Sequence, residues 1–254
     1  MAHLSVTILT YNEASSIVGC LESLRGVADE IIVVDSFSTD STVEICRRYG
    51  CRVTQRPMAG FGAQRQYATS LTSHSHVLAI DADEALSPAL RQSLIALKRD
   101  GFAHRGYKMA RLNFFCGYAV KHCGWYPDFQ VRLFDKRFAS WSLNDVEERV
   151  ILNGNVKPQL IEGDLLHYRC SSSAEFLARC MTQAEIRAVS IAASPKPISS
   201  WLPALMGVRR FLGEYIYRGG ILDGAVGFAI SRRQSMATAH AYRTARNLRR
   251  RTKA

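Results

Sequence analysis

Strand-like and helix-like segments alternate through the first hundred residues, and this alternation constrains the fold more than any other feature of the chain. Residues 4–10 are β-rich. Residues 14–24 carry Ile17, Cys20, Leu21 and Leu24 at helical spacing. Residues 30–35 read Glu-Ile-Ile-Val-Val-Asp, apolar at consecutive positions as in a strand covered on both faces. A capped helix ending at Gly50, a short strand at 51–54, a helix from Gly60 to about 71, a strand at 76–81 and a helix at 87–98 continue the series. Repeated βα units predict a doubly wound, mainly parallel sheet, in which ligands sit beyond the carboxyl ends of the strands. Polar clusters stand at three of those ends: Thr10-Tyr11-Asn12-Glu13, Asp35-Ser36 and Asp81-Ala82-Asp83-Glu84.

The pattern then changes. Short strand candidates at 106–114, 129–134, 149–152 and 160–168 predict an antiparallel or mixed extension of the sheet, and the last third reads as helical. We therefore expect a catalytic-type domain over 1–170, with a ligand-binding half at 1–100 and a second half at 101–170. A helical, basic extension is expected over 171–254. The 254 residues, 47% hydrophobic, suffice for a sizeable core. No apolar run approaches the ~20 residues that span a bilayer, and no secretory pattern opens the chain. The seven cysteines are scattered without a C-x-x-C pair, which argues against zinc knuckles and disulfides and fits buried thiols in a cytoplasmic protein. The formal charge of +11 calls for an anionic partner: nucleic acid, membrane surface or phosphorylated substrate. No acidic residue follows Asp223, whereas eight Lys and Arg residues do, so the basicity is partly a property of the tail.

Asp81 and Asp83, in D-x-D at a strand end, are expected to share one face of extended chain. Hard carboxylate oxygens suit Mg²⁺ or Mn²⁺ shared with substrate phosphates, while an acidic cap of the next helix is the plainer reading. Asp35 can accept hydrogen bonds from a base or ribose, or serve as a local cap. Gly60-Phe61-Gly62-Ala63-Gln64-Arg65 brings backbone amides and Arg65 to a helix start, where phosphate can be held, although it matches neither the P-loop nor the dinucleotide fingerprint. Trp125 could form a stacking platform for a sugar and Arg132 a phosphate contact; core packing is the alternative. Asn144-Asp145-Val146-Glu147-Glu148 could supply the single general base that an inverting transfer needs. His167 could be a further metal ligand or a core histidine.

Leu9-Thr10-Tyr11-Asn12-Glu13, Val33 to Asp40 and Ile80 to Glu84 together resemble glycosyltransferase family 2 with the GT-A fold. Gly60 to Arg65, Trp125-Tyr126-Pro127-Asp128 with Arg132-Leu133-Phe134, Leu166-His167-Tyr168 and Arg218 to Gly224 are similar to the bacterial lipopolysaccharide inner-core β-glucosyltransferases of that family. The resemblance implies a Rossmann-like mixed sheet flanked by helices. It also implies an inverting, divalent-metal-dependent transfer from a UDP-sugar, with glucose favoured, to a heptose of a lipid-linked core. Donor binding would fall to Thr10, Tyr11, Asn12, Glu13, Asp35, Gln64, Arg65 and Asp81, and metal binding to Asp83 with Asp81 and His167. Acceptor binding would fall to Trp125, Asp128 and Arg132. Where relatives read Val-His-Glu, this chain has Val146-Glu147-Glu148, so Glu148 is the favoured base, with Glu147 and Asp145 behind it. The apolar C-terminal helices and basic tail would then lie against an anionic membrane surface on the cytoplasmic side.

Three alternatives are weighed. A nucleotidyltransferase would carry a glycine-rich basic loop where Tyr11-Asn12-Glu13 stands. A nucleic-acid binder would show a helix-turn-helix, zinc or RNP pattern, and none is found. A non-catalytic sugar binder would have lost acidic groups that are all present.

Overall fold

The computed structural model describes residues 2–143, 148–154, 156–170 and 172–251. Two compact units arise from an interleaved chain: 1–111 with 128–167, and 112–127 with 168–254.

The first unit begins with β1 (Leu4–Thr10), α1 (Ile17–Ser23), β2 (Glu30–Asp35), α2 (Thr42–Arg48), β3 (Arg52–Gln55), α3 (Phe61–Ser70) and β4 (His76–Asp81). It continues with β5 (Glu84–Leu86), α4 (Pro88–Asp100), β6 (Gly106–Phe115), β7 (Tyr118–Ala119), β8 (Asp128–Asp135), β9 (Ala139–Trp141), β10 (Val150–Leu152) and β11 (Gln159–Cys170); β7 and the ends of β6 and β11 fall in the second unit. The main sheet runs β3-β2-β1-β4-β8-β6-β11-β5. β1, β2, β3 and β4 are mutually parallel, while β8 is antiparallel to both β4 and β6. A Rossmann-like parallel half thus joins an antiparallel half, the mixed α/β sheet expected from the sequence.

Alternation explains how both faces of this sheet are covered. Leu4, Val6 and Ile8 of β1 join Leu21 and Leu24, Cys46, and Leu90 and Leu94 of the α1, α2 and α4 side in one buried cluster. On the other face, Ile32 and Val34 of β2 pack against Ala68 of α3, and Val77 and Ala79 of β4 pack against Phe134, Trp141 and Val150. The chain leaves β3 and crosses beyond β1 to enter β4, so the strand order reverses between β1 and β4. There Leu9 lies level with Asp81, and Thr10 with Asp35. A reversal of this kind opens a crevice at the carboxyl ends of the strands.

The second unit is built around α5 (Ser173–Ala193), α6 (Leu202–Leu212), a π-helical turn at Gly213–Tyr217, a 3₁₀ turn at Gly220–Asp223 and α7 (Gly224–Arg251). α7 buries small residues (Gly227, Ser231, Ala237, Ala241 and Ala245) and meets Ala184 of α5 closely. Phe115, Val120, Trp125, Phe176 and Ile230 form a second buried cluster. Among the described residues no helix is long and apolar enough to cross a membrane. Five cysteines are buried as expected, but Cys116 is exposed and Cys180 half-buried.

Candidate active site

The first polar loop is laced to the second. Asn12 adopts a left-handed backbone at φ 56°. Its Oδ1 accepts the Thr39 amide at 2.8 Å, while its own amide donates to Ser38 Oγ at 2.8 Å. The Glu13 amide donates to Thr42 Oγ1 and the Ala14 amide to Asp40. Asp35 is fully buried and accepts from Thr10 Oγ1 at 2.9 Å, the Ser38 amide and hydroxyl, and Gln55 Nε2. Burial opposes its ionisation, but these hydrogen bonds outweigh it and hold the carboxyl below the usual carboxylate range.

The third cluster departs from expectation. Asp81 ends β4, Ala82 and Asp83 form a turn, and Glu84 starts β5. Glu84 Oε2 accepts the Asp81 amide at 2.8 Å and closes that turn. The two aspartates therefore do not share a face of extended chain, and each finds its own partner. Asp81 lies between two guanidiniums, with Arg65 Nη2 at 2.5 Å and Arg132 Nη2 at 3.2 Å. Burial works against its charge, yet the two arginines overcome this and hold its carboxyl well below the ordinary range. Asp83 Oδ2 lies 3.4 Å from Nε2 of His167, which sits within β11, level with Glu84, rather than ending a strand.

Arg65 also reaches Glu148, its Nε 3.3 Å from Oε1. Its placement follows from Gly62: a Cβ there would stand 2.0 Å from the Ser142 carbonyl oxygen, so only glycine lets α3 press against this stretch of chain. The side chain of Glu84 is wholly buried and receives Arg132 Nη2 at 3.5 Å and Arg111 Nη1 at 3.3 Å, while Arg111 also clasps Asp128 at 2.6 Å. Guanidinium and carboxylate thus alternate from Glu148 through Arg65, Asp81, Arg132, Glu84 and Arg111 to Asp128. Glu84 was expected only as part of the acidic strand-end cluster and Arg111 had no expected role; a carboxylate placed directly before the apolar Ala85-Leu86 was the available signal.

A cavity of about 650 Å³ opens at this crevice, lined by Thr10, Tyr11, Glu13, Arg65, Asp81, Asp83 and Glu148. Tyr11, Met58 and Phe61, each about half-exposed, supply apolar walls. Asn12, Asp35 and Gln64 are not among its lining residues. The first two fasten the loops, and buried Gln64 donates to the Arg56 carbonyl. Arg132 is 5% exposed and pairs through Nη2 with Asp81 and Glu84, so it positions those carboxylates rather than standing open to a phosphate. Trp125 belongs to the second unit, 8% exposed and edge-on to Phe176, so its ring is packed rather than offered as an open platform. Asp145 and Glu147 lie outside the described residues.

The residues present suit a divalent ion. Asp83 and His167 offer an oxygen and a nitrogen donor close together, and Asp83 faces the cavity. Among the described residues no three of His, Cys, Asp or Glu form a closed cage, so such an ion would take its remaining ligands from substrate oxygens and water.

Residues 5–104 match the family model described as glycosyl transferase family 2. An uncharacterized glycosyltransferase of Rickettsia typhi is 28% identical over 240 residues, covering 91% of this chain and 82% of that protein. The lipopolysaccharide core biosynthesis glycosyltransferase LpsC of Rhizobium meliloti is 33% identical over 172 residues, 65% of this chain and 63% of its own length. Among solved structures, glucosyl-3-phosphoglycerate synthase from Mycobacterium tuberculosis is 25% identical with a TM-score of 0.36 over 44% of each chain, too partial a likeness to transfer anything. A mixed sheet with an acidic crevice at its switch point defines an α/β protein with a candidate ligand site at the carboxyl ends of its parallel strands. Residues 5–104 match glycosyltransferase family 2, and the relatives that extend over more of the chain are glycosyltransferases.

Proposed function

We propose that this glycosyltransferase moves a sugar from a UDP-sugar, with glucose favoured, to a heptose of a lipopolysaccharide core or a similar lipid-linked glycan, inverting the anomeric centre. The observation that carries this reading is the convergence of Thr10, Tyr11, Glu13, Arg65, Asp81, Asp83 and Glu148, drawn from four separate stretches of sequence, on one cavity. The relationship to LpsC supports the choice of acceptor class. The family match over residues 5–104 favours this reading over the nucleotidyltransferase, nucleic-acid-binding and non-catalytic ones.

In this reading the base and ribose lie along Tyr11 and Phe61, over the loops that Asn12 and Asp35 fasten, and Gln64 holds the base of the wall. Arg65 faces the diphosphate. Asp83 and His167, with Asp81 beside them, hold Mg²⁺ or Mn²⁺, which when bound offsets the negative charge of the diphosphate. Glu148 accepts the proton of the acceptor hydroxyl as its oxygen attacks the anomeric carbon from the face opposite the diphosphate. The bond from that carbon to the diphosphate oxygen breaks, and UDP leaves with the electron pair, its charge met by Arg65. Arg65 already bridges Asp81 and Glu148, so leaving group and base are set by one guanidinium. Asp128 is assigned to the acceptor side, with Arg132 acting through Asp81, and Glu147 and Asp145 stand as the alternative bases.

The test is a screen of UDP-sugars with Mn²⁺ against purified core acceptors, reading released UDP. UDP-glucose should give acceptor-dependent release that Asp83→Ala abolishes without change in melting temperature. Absence of release from every UDP-sugar, or full turnover by Asp83→Ala, overturns the donor or metal assignment respectively.

The second unit supports membrane contact. Trp201, Leu205, Val208 and Leu212 recur at helical spacing along α6, and all are exposed. Ile216, Tyr217, Ile221 and Leu222 extend the apolar surface through the following turns. An apolar stripe on a unit with a strongly basic last helix fits an anionic bilayer surface.

A further inference from the structure

The second unit encloses a cavity of its own, of about 700 Å³, that the transfer reaction does not use. Its lining combines four guanidiniums (Arg187, Arg209, Arg210 and Arg218) with a single carboxylate, Glu214. Arg210 is committed to Glu214, its Nη2 2.5 Å from Oε1, and to Gln234. Arg187, Arg209 and Arg218 are exposed; Arg187 and Arg218 feel the charge of Glu214, but among the described residues none of the three is held in a close ion pair. Three like charges on one rim repel one another, and an anion seated between them relieves that repulsion while using the planar fork of each guanidinium. Glu214 is 2% exposed; its Oε1 has only the Arg210 ion pair, and its Oε2 and Arg210 Nε have no hydrogen-bond partner. A buried acceptor without a donor is destabilising, and a hydroxyl group entering the cavity would satisfy it. Met206 and Tyr217 supply apolar wall of the kind that takes the C–H faces of a sugar ring, over the buried rings of Trp125 and Phe176.

The Arg218-Gly219-Gly220-Ile221-Leu222-Asp223-Gly224 segment builds this site. Gly219 turns left-handed at φ 69° directly after Arg218. A Cβ on Gly227 would stand 1.9 Å from the Gly220 carbonyl oxygen, so the start of α7 closes directly on the segment. Asp223 accepts the His122 amide at 2.9 Å and pairs with its ring, fixing the loop that carries Gly124. The guanidinium of Arg218 lies over Gly124, in space a Cβ there would occupy. The segment thus sets one rim arginine while the turn before it carries Glu214.

We propose that this cavity binds a phosphorylated sugar, with Arg187, Arg209 and Arg218 holding the phosphate and Glu214 taking a hydrogen bond from a ring hydroxyl. The ligand is a soluble sugar phosphate or the phosphorylated sugar head of a lipid. The lipid source suits α6, whose Met206, Arg209 and Arg210 line the cavity while Leu205, Val208 and Leu212 are exposed. The site does not depend on the donor cavity of the first unit.

Isothermal titration of the full chain with glucose 1-phosphate, glucose and inorganic phosphate tests this. Glucose 1-phosphate should bind saturably, inorganic phosphate at least tenfold more weakly, and glucose not measurably. Arg187→Gln with Arg218→Gln should weaken glucose 1-phosphate tenfold or more at an unchanged melting temperature, and Arg209→Gln serves if that pair fails to fold. Asp83→Ala should leave this binding intact, which separates it from any failure of the donor assignment. Vesicles carrying lipid A distinguish the sources: displacement of the protein by glucose 1-phosphate assigns the lipid head, and retention assigns the soluble ligand. Undiminished binding in the arginine variants, or inorganic phosphate binding as tightly as the sugar phosphate, overturns the proposal.

Discussion

Arg65 carries more of the candidate site than any other side chain, because its Nε and Nη2 serve Glu148 and Asp81 at once. A lysine ammonium is one point charge and cannot span both carboxylates in fixed geometry. Arg65→Lys should therefore lower kcat/KM about 10- to 100-fold, on the order of 1.4–2.7 kcal/mol of transition-state stabilisation, with a melting temperature within a degree or two. A kcat/KM equal to the parent's would show that Arg65 only packs. Glu214 makes the matching point in the second unit. Burial pushes its carboxyl up from 4.5 to about 7 despite Arg210, Arg218 and Arg187. The folded chain thus holds this proton more tightly than the unfolded chain. The stability so gained is full below about pH 4.5 and is lost as pH rises through about 7. Glu214→Gln should remove that loss, so its melting temperature should gain on the parent's between pH 5 and pH 8.5, by at most about 3 kcal/mol in free energy. Parallel melting curves across that range would refute it.

At the scale of elements, α3 is positioned by contact rather than by a cap. Gly62→Ala places a methyl against the Ser142 carbonyl and must lift the helix, at a cost of about 1–3 kcal/mol. The same movement withdraws Arg65, so donor KM should rise along with the loss of stability in urea. A variant losing stability with KM unchanged would break this link between α3 and the site. The parallel half was legible in the sequence because β2 and β4 are apolar runs bounded by polar turns, as a strand covered on both faces leaves, and β1 is a β-rich segment before them. β5, β7 and β9 were not, since two or three residues carry no period. α7 was blurred for another reason: apart from Ile230 its buried face is Gly, Ser and Ala, so close packing replaced most of the large apolar residues that mark a helix. Of the site, Asp81, Asp83 and Arg65 announced themselves by position after a strand or at a helix start. The alternating chain through Glu84 and Arg111 did not, because residues far apart in sequence meet only once the antiparallel half has formed. Trp125 and Arg132 show the converse, since an aromatic or an arginine near a motif reads alike whether it faces solvent or the interior.

For the molecule as a whole, charge and apolar surface point to the same partner by separable physics. The +11 surplus acts through the Debye layer, so its share of any attraction to an anionic bilayer fades as salt is raised. The stripe on α6 acts by removing apolar surface from water and is insensitive to salt, at roughly 1.5–3 kcal/mol for each large side chain fully withdrawn. Replacing Trp201, Leu205 and Val208 by serine leaves the fold untouched, because all three are exposed. In flotation with phosphatidylglycerol-rich vesicles, the parent should bind at low salt and keep a residual, salt-resistant fraction. The triple variant should bind at least tenfold more weakly and lose that residue altogether. Charge alone would instead give the parent and the triple variant one common salt curve, and that outcome would remove α6 from the membrane and leave the basic helix α7 as its sole contact.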